Sequence, residues 1–224
     1  MLNERKRFFV EAVLKWGRKN LRQYPWRQEQ DPWKVLVAEI MLQRTTPGHV
    51  LKVYDSFLRR FPNPRSLAEA LQSEVETLFR PLGMIKRVQK LVAAAREICR
   101  RHGGHVPLDP DELMKLPGVG RYTAYAVLSI ATGRPYPIID GNSARVLRRF
   151  FGLASKKRPR DDEELWSLAA RLIPSDEPAL FNLSLLDMGA KLCRVQDPNC
   201  EICPLEGSCL CQTSRSWGLP PRMD

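Results

Sequence analysis

Apolar residues recur along this chain at helical spacing almost from end to end, so the predicted elements are helices. Residues 4–21 place Phe9, Val10, Val13 and Leu14 on one side and scatter Arg and Lys over the other, the pattern of a packing helix. Tyr24-Pro25-Trp26-Arg27 breaks it, and Asp31-Pro32 opens the next helix, with Asp as N-cap and Pro in the first helical position. Residues 50–61, 66–71 and 74–79 read as short amphipathic helices. A turn at Pro81-Leu82-Gly83 leads into a long helix expected to bury Ile85, Val88, Val92, Ala95 and Ile98 and to expose Lys86, Arg87 and Lys90. Residues 122–132 carry one apolar stripe, Ala124, Val127, Leu128 and Ala131, and the run after Asp140 carries another in Ala144, Val146, Leu147 and Phe150. Residues 163–173 and 179–192 complete the helical set, and the tail from Gln212, with two adjacent prolines, is expected to pack loosely.

Three positions depart from plain scaffold. The run WKVLVAEIML at residues 33–42 is apolar nearly all round, which marks a buried helix, yet Glu39 sits inside it. Its helical neighbours are Val35, Leu36, Leu42 and Gln43, with no Lys or Arg one turn away in the sequence. A carboxyl so enclosed is costly to ionise and should keep its proton to high pH, as a general acid near neutrality must. A structural Glu bonded to the end of another helix is the alternative. Next, Leu116-Pro117-Gly118-Val119-Gly120 lies between two helical segments, and its glycines allow a sharp turn whose amides can face a phosphate. The helix that follows brings its positive end to the same point. Third, Asp140 precedes Gly141-Asn142-Ser143 and a helical run, the setting of an N-cap.

Composition narrows the partners. The chain has 224 residues, enough for one domain or two small ones, and a formal charge of +11 that points to a polyanion. Charge alone would equally suit an RNA-binding or membrane-surface protein. No apolar run reaches the ~18 residues of a spanning helix, and the N-terminus lacks a signal-peptide core, so a cytoplasmic, nucleoid-associated protein is expected. Near the end, Cys193, Cys200, Cys203 and Cys209 form C-x6-C-x2-C-x5-C. In a cytoplasmic chain that is a metal clip more readily than a pair of disulfides. Zinc usually takes two close pairs and only Cys200 and Cys203 form one, whereas thiolates suit an iron–sulfur cluster equally well. Cys99 fits a small core residue, and Cys211 is left over.

Taken together, LPGVGRYT, IIDGN about twenty residues on, DPWKVLVAEIMLQRTT and the cysteine spacing resemble the helix-hairpin-helix superfamily of DNA glycosylases with a [4Fe-4S] cluster, the endonuclease III and MutY-like enzymes. The phrase RTTPGHV looks closest to the archaeal-type T:G mismatch thymine glycosylase branch. The resemblance covers the chain from Tyr24 to Cys209 and implies an all-α, two-lobed fold ending in an iron–sulfur loop. Residues 25–134 would form the bundle with the hairpin, residues 1–24 plus 135–211 the cluster lobe, and residues 212–224 a flexible tail. It implies that Glu39, Asp140 and Tyr122 are the catalytic set, with Asp140 facing the sugar of an extruded nucleotide. Gln43, Arg44, Met84, Gly118, Gly120 and Arg121 would touch DNA, and Cys193, Cys200, Cys203 and Cys209 would hold the cluster.

Bifunctional relatives carry a Lys where Tyr122 stands, and a phenol cannot form a Schiff base, so the resemblance implies a monofunctional enzyme that leaves an abasic site. The expected substrate is mismatched double-stranded DNA, met by a monomer. DGN leans toward an adenine glycosylase; RTTPGHV, Met84 in place of a Tyr and the short stretch after the cysteines favour thymine or uracil opposite guanine. A non-catalytic hairpin module that binds DNA would explain the charge, LPGVG and the cysteines, but not Glu39.

Overall fold

In the computed structural model, which describes residues 2–83 and 85–213, the chain is helical, with no strand among the described residues. The helices are α1 (Leu2–Asn20), α2 (Pro32–Leu42), α3 (Pro47–Leu51), α4 (Tyr54–Arg60), α5 (Pro64–Ala68), α6 (Gln72–Phe79) and α7 (Ile85–His102). They continue as α8 (Pro110–Met114), α9 (Arg121–Thr132), α10 (Gly141–Phe151), α11 (Glu163–Ala170), α12 (Pro178–Lys191) and α13 (Leu210–Thr213). Two compact units result: Gln23–Tyr136, and Met1–Arg22 together with Pro137–Asp224. No helix among the described residues is long and apolar enough to cross a membrane.

The Gln23–Tyr136 unit is built around α2. The Asp31 carboxylate accepts the Trp33 amide at 2.9 Å, Pro32 occupies the first turn, and every residue of the helix from Val35 to Met41 is buried. Its large apolar side chains, worth roughly 1.5–3 kcal/mol each when buried, outweigh the several kcal/mol that enclosing the Glu39 carboxyl costs. Trp33 sinks into the same core because its indole N–H donates to the Phe61 carbonyl at 3.1 Å. The helix expected over residues 50–61 is two, α3 and α4, interrupted at Lys52-Val53. Both pieces keep one face inward, through Val50, Val53, Tyr54, Phe57 and Phe61.

One side chain of α7 contradicts its expected exposure. Arg87 is buried, at 4% exposure, because it shares a helical side with Leu91, Ala94 and Ile98, all fully covered. What makes this tolerable is a set of carbonyls. Its Nη1 donates to Met41 O at 2.6 Å and Gln43 O at 2.5 Å, and its Nη2 to Leu82 O at 2.7 Å. Burial pulls the guanidinium pKa below its ordinary value, and those bonds replace water at both Nη atoms, while Nε stays buried without a hydrogen-bond partner.

The other unit is centred on α12, whose residues from Phe181 to Gly189 are all buried, with α1 and α10 packed against it. Phe9 of α1 meets Phe150 and Phe151 of α10 at ring centroid distances of 4.7 and 5.1 Å. Asp187 is fully buried on α12 and is met by Arg22, which donates its backbone amide at 2.8 Å and its Nε at 2.6 Å. Asp187 is covered but the Arg22 side chain is 30% exposed, so Asp187→Ala removes charge-assisted bonds without fully burying a lone cation and should lower the unfolding free energy by about 2 kcal/mol. Denaturant titration checks this; a loss below about 1 kcal/mol would show that Arg22 reaches water instead.

Candidate functional site

The Gln23–Tyr136 unit holds Glu39, the hairpin and the end of α2. Glu39 is 5% exposed and lies within electrostatic reach of the buried Tyr54 phenol. Burial raises that phenol pKa, with Glu29, Asp55, Asp31 and Glu39 adding to the rise, and its hydroxyl donates to Lys34 O at 3.2 Å. The carboxyl predicted to sit inside an apolar helix therefore does so, two turns in from the Asp31 cap.

Between α8 and α9 the chain reverses through Leu116–Gly120, closed by Val119 N to Leu116 O at 3.1 Å. Only one of the two glycines is required by the turn. Gly118 has φ +83, and a Cβ there would sit 3.0 Å from Lys90 Cβ, whereas Gly120 has φ −101 and nothing within 4 Å of where its Cβ would be. Gly118 thus lets the hairpin press on α7, while Gly120 leaves the start of α9 uncovered for something to approach. Arg121 and Tyr122 occupy the first turn of that helix, both partly buried, and the Arg121 guanidinium lies 5.5 Å from the Tyr125 ring centroid. Gln43 donates its Nε2 to Gly118 O at 3.0 Å, so the end of α2 and the hairpin are joined directly. Arg44 is exposed and left-handed, with φ +56. Met84 lies outside the described residues.

In the second unit Asp140 is the N-cap of α10, as its sequence setting predicts. Its Oδ1 accepts the amides of Asn142 at 2.7 Å and Ser143 at 2.8 Å, and Ser143 Oγ accepts the Asp140 amide at 2.9 Å. Asn142 Nδ2 donates to the other carboxylate oxygen at 3.0 Å. A chain of contacts that the sequence did not suggest continues from there. Arg145 donates to Asn142 Oδ1 at 2.9 Å, to Gly189 O at 2.8 Å and, through Nε, to Cys193 O at 2.5 Å. Half-buried, Arg145 has its pKa lowered by burial and by the nearby Arg149, against the opposite pull of Cys193 and Asp140. The Asp140 carboxylate is thus fixed to the first cysteine of the closing loop through two side chains. Arg145 stands three residues from Asn142, one helical turn, which is the signal that could have found it.

That loop winds through two 3-10 turns, at Cys200–Ile202 and Glu206–Ser208. None of its cysteines is in a disulfide, and Arg149 donates Nη1 to Cys193 Sγ at 3.3 Å and to Arg194 O at 2.7 Å. Burial pushes the Cys203 thiol pKa up to about 11, and Cys193, Cys200 and Cys209 push it the same way. Among the described residues no three His, Cys, Asp or Glu side chains are drawn together to grip a metal ion. The other three thiols, of Cys193, Cys200 and Cys209, are nevertheless within electrostatic reach of Cys203. Four cysteines without a disulfide are a donor set of the thiolate kind that iron–sulfur clusters take.

Residues 37–171 match the family described as HhH-GPD superfamily base excision DNA repair protein. The chain is 43% identical to the thymine-DNA glycosylase of Aeropyrum pernix over 92% of both chains. It is 45% identical to the thymine/uracil-DNA glycosylase of Pyrobaculum aerophilum over 88% of both. Among solved structures, a thermostable thymine-DNA glycosylase superposes with a TM-score of 0.91 at 33% identity, covering 95% of this chain and 98% of that one. Endonuclease III in a non-covalent DNA complex superposes with a TM-score of 0.80 at 26% identity, over 93% and 95% of the two chains.

A tight contact behind Asp140 gives a test of this geometry. A Cβ on Gly189 would lie 2.6 Å from the Asn142 carbonyl oxygen and 2.7 Å from its carbonyl carbon, and backbone cannot swing aside. Gly189→Ala should therefore lose about 1–3 kcal/mol to overpacking, more than the ~1 kcal/mol that Ala gains over Gly in a helix. Net destabilisation in thermal unfolding is expected, and a stabilised variant would show that α12 and the Asp140 turn separate readily.

Proposed function

The chain belongs to the HhH-GPD superfamily of base excision DNA repair proteins, and on that footing we propose a monofunctional glycosylase that removes thymine or uracil mispaired with guanine. That it is a DNA glycosylase follows from the family and from relatives that match nearly the whole of both chains. The observation that carries the mechanism is the immobilised Asp140 carboxylate, held by Asn142 and Ser143. The choice of base rests on similarity to the thymine and thymine/uracil enzymes.

In this reading the mispaired base is turned out of the duplex, which costs less than extruding a paired one. As the glycosidic bond breaks, positive charge develops on the deoxyribose, and a fixed carboxylate at Asp140 stabilises it without having to reorganise. Glu39, enclosed by apolar residues, serves the departing base or orients the attacking water. The amides at Gly118 and Gly120 and the Arg121 side chain take a backbone phosphate, while Gln43, Arg44 and Met84 enter or flank the space the base vacates. Tyr122 offers no amine for a Schiff base, so the product is an intact strand with an abasic site. Cys193, Cys200, Cys203 and Cys209 would hold a [4Fe-4S] cluster, which when bound ties the closing loop together. The partner is mismatched double-stranded DNA, and the enzyme works as a monomer in the cytoplasm, at the nucleoid. A pocket that admits a normal thymine must refuse T:A pairs, so contacts to the opposite guanine belong to its selectivity.

Duplexes containing T:G, U:G, A:G and A opposite 8-oxoguanine, each split into portions with and without alkali, test the proposal. Strand breaks should come from T:G and U:G and only after alkali. Breaks confined to the adenine duplexes would establish the adenine reading instead, and none in any lane would leave a DNA-binding module. Asp140→Asn refines the test, because Asn caps a helix about as well as Asp. The variant should unfold at nearly the parent temperature yet release base about 100-fold more slowly; unchanged release would remove Asp140 from the chemistry.

A further inference from the structure

We propose that Arg87 is a positioning residue for base extrusion: it locks the turn after α2 and the turn before α7 into one preset frame. The inference rests on the DNA-contacting role given above to Gln43, Arg44 and the hairpin. Three observations within the Gln23–Tyr136 unit carry it. First, a single guanidinium, 4% exposed, bonds the carbonyls of Met41 and Gln43 on one segment and Leu82 on the other. Leu82 O immediately precedes Gly83, whose φ of +74 turns the chain toward α7. Second, Arg44 follows Gln43 in a left-handed conformation, φ +56, that is strained for a residue with a Cβ. The turn closes through Thr45 N to Leu42 O at 3.2 Å, and Arg87 takes the two carbonyls flanking that bond. Third, Gln43 is also tied to Gly118 O, and Gly118 is pressed on Lys90 of the same α7. Three chain reversals, at 43–45, 82–83 and 116–120, are therefore fastened around one helix.

An ordinary helix-end cap would need one or two of these bonds. Here the third crosses to a separate loop, and the segment between holds a strained, exposed arginine. Such a frame meets a duplex with its ordering entropy already spent in folding, which favours insertion of Gln43 and Arg44 over a slower local rearrangement. Arg87 touches no DNA in this scheme. It acts through the residues it holds.

The test is Arg87→Met, which keeps the side-chain length and removes the donors, beside Arg87→Lys, whose ammonium supplies donors but cannot span both segments as a guanidinium fork does. Three quantities are measured on each: binding to a fully paired duplex, the fluorescence rise of 2-aminopurine placed next to a T:G mismatch, and the single-turnover rate of base release. Arg87→Met should bind paired DNA within about threefold of the parent, lose most of the fluorescence rise and release base at least about 30-fold more slowly, as a failure of extrusion demands. Arg87→Lys should fall between the two. If Arg87→Met does not fold, Arg87→Lys carries the test alone, with about a tenfold loss of rate and a reduced fluorescence rise at unchanged paired-duplex binding. Parental fluorescence and rate in the variant would overturn the proposal, as would a parallel loss of paired-duplex binding, fluorescence and rate, which marks a merely structural residue. A parent inactive on every mismatch would instead defeat the functional reading.

Discussion

The ends of the helices govern this molecule. An all-helical chain leaves polar backbone groups unmatched at each terminus, and where a terminus is buried, side chains must satisfy them. In this protein some of the groups that do so are residues given a role in the proposed function. Asp140 closes the start of α10 and Arg87 closes the end of α2. Arg145 and Arg149 take carbonyls where α12 runs into the cysteine loop. Because a cap is geometrically demanding, the same bonds that stabilise the fold fix the candidate side chains to a definite position.

This use of cations changes what the positive charge means. A formal charge of +11 predicts an anionic partner, but it does not say which arginines meet it. Arg87 is committed to internal carbonyls, Arg148 to the buried Asp162 at 2.6 Å, and Arg149 to the backbone of the closing loop. Arg44, next to the hairpin-bound Gln43, is exposed. Sorting the two populations requires burial and acceptors, which no charge count contains.

Much of the architecture was legible because helical periodicity is a local property. The caps at Asp31 and Asp140, the burial of α2 around Glu39 and the turn at Gly118 all follow from residues within one or two turns of each other. What escaped depends on pairs far apart in sequence. The Gln43 to Gly118 bond joins positions 75 residues apart, and nothing near either one announces it. Arg87 is an intermediate case: it shares a stripe with Leu91, Ala94 and Ile98, a phase that favours burial, while its charge by itself favours exposure. The carbonyls that make the burial tolerable lie more than forty residues upstream or in the preceding turn.

Comparing the two units shows why a buried acid is not evidence of chemistry by itself. Each unit has a central helix buried nearly all round, and each of those helices carries a carboxylate, Glu39 on α2 and Asp187 on α12. By sequence they are alike, since LVAEIML and LSLLDMG both set an acid among apolar residues. Asp187 is engaged by Arg22 at both oxygens, Oδ2 accepting the backbone amide and Oδ1 the Nε and, at 2.5 Å, the Nη2 of the guanidinium, a charge-assisted contact that ties chain segments together. Glu39 acts electrostatically on the Tyr54 phenol and lies four residues before Gln43, the residue that binds the hairpin. The position of the acid in the fold thus adds what its apolar sequence setting leaves out: Asp187 ties Arg22 to α12, and Glu39 sits one turn before the hairpin-bound end of α2.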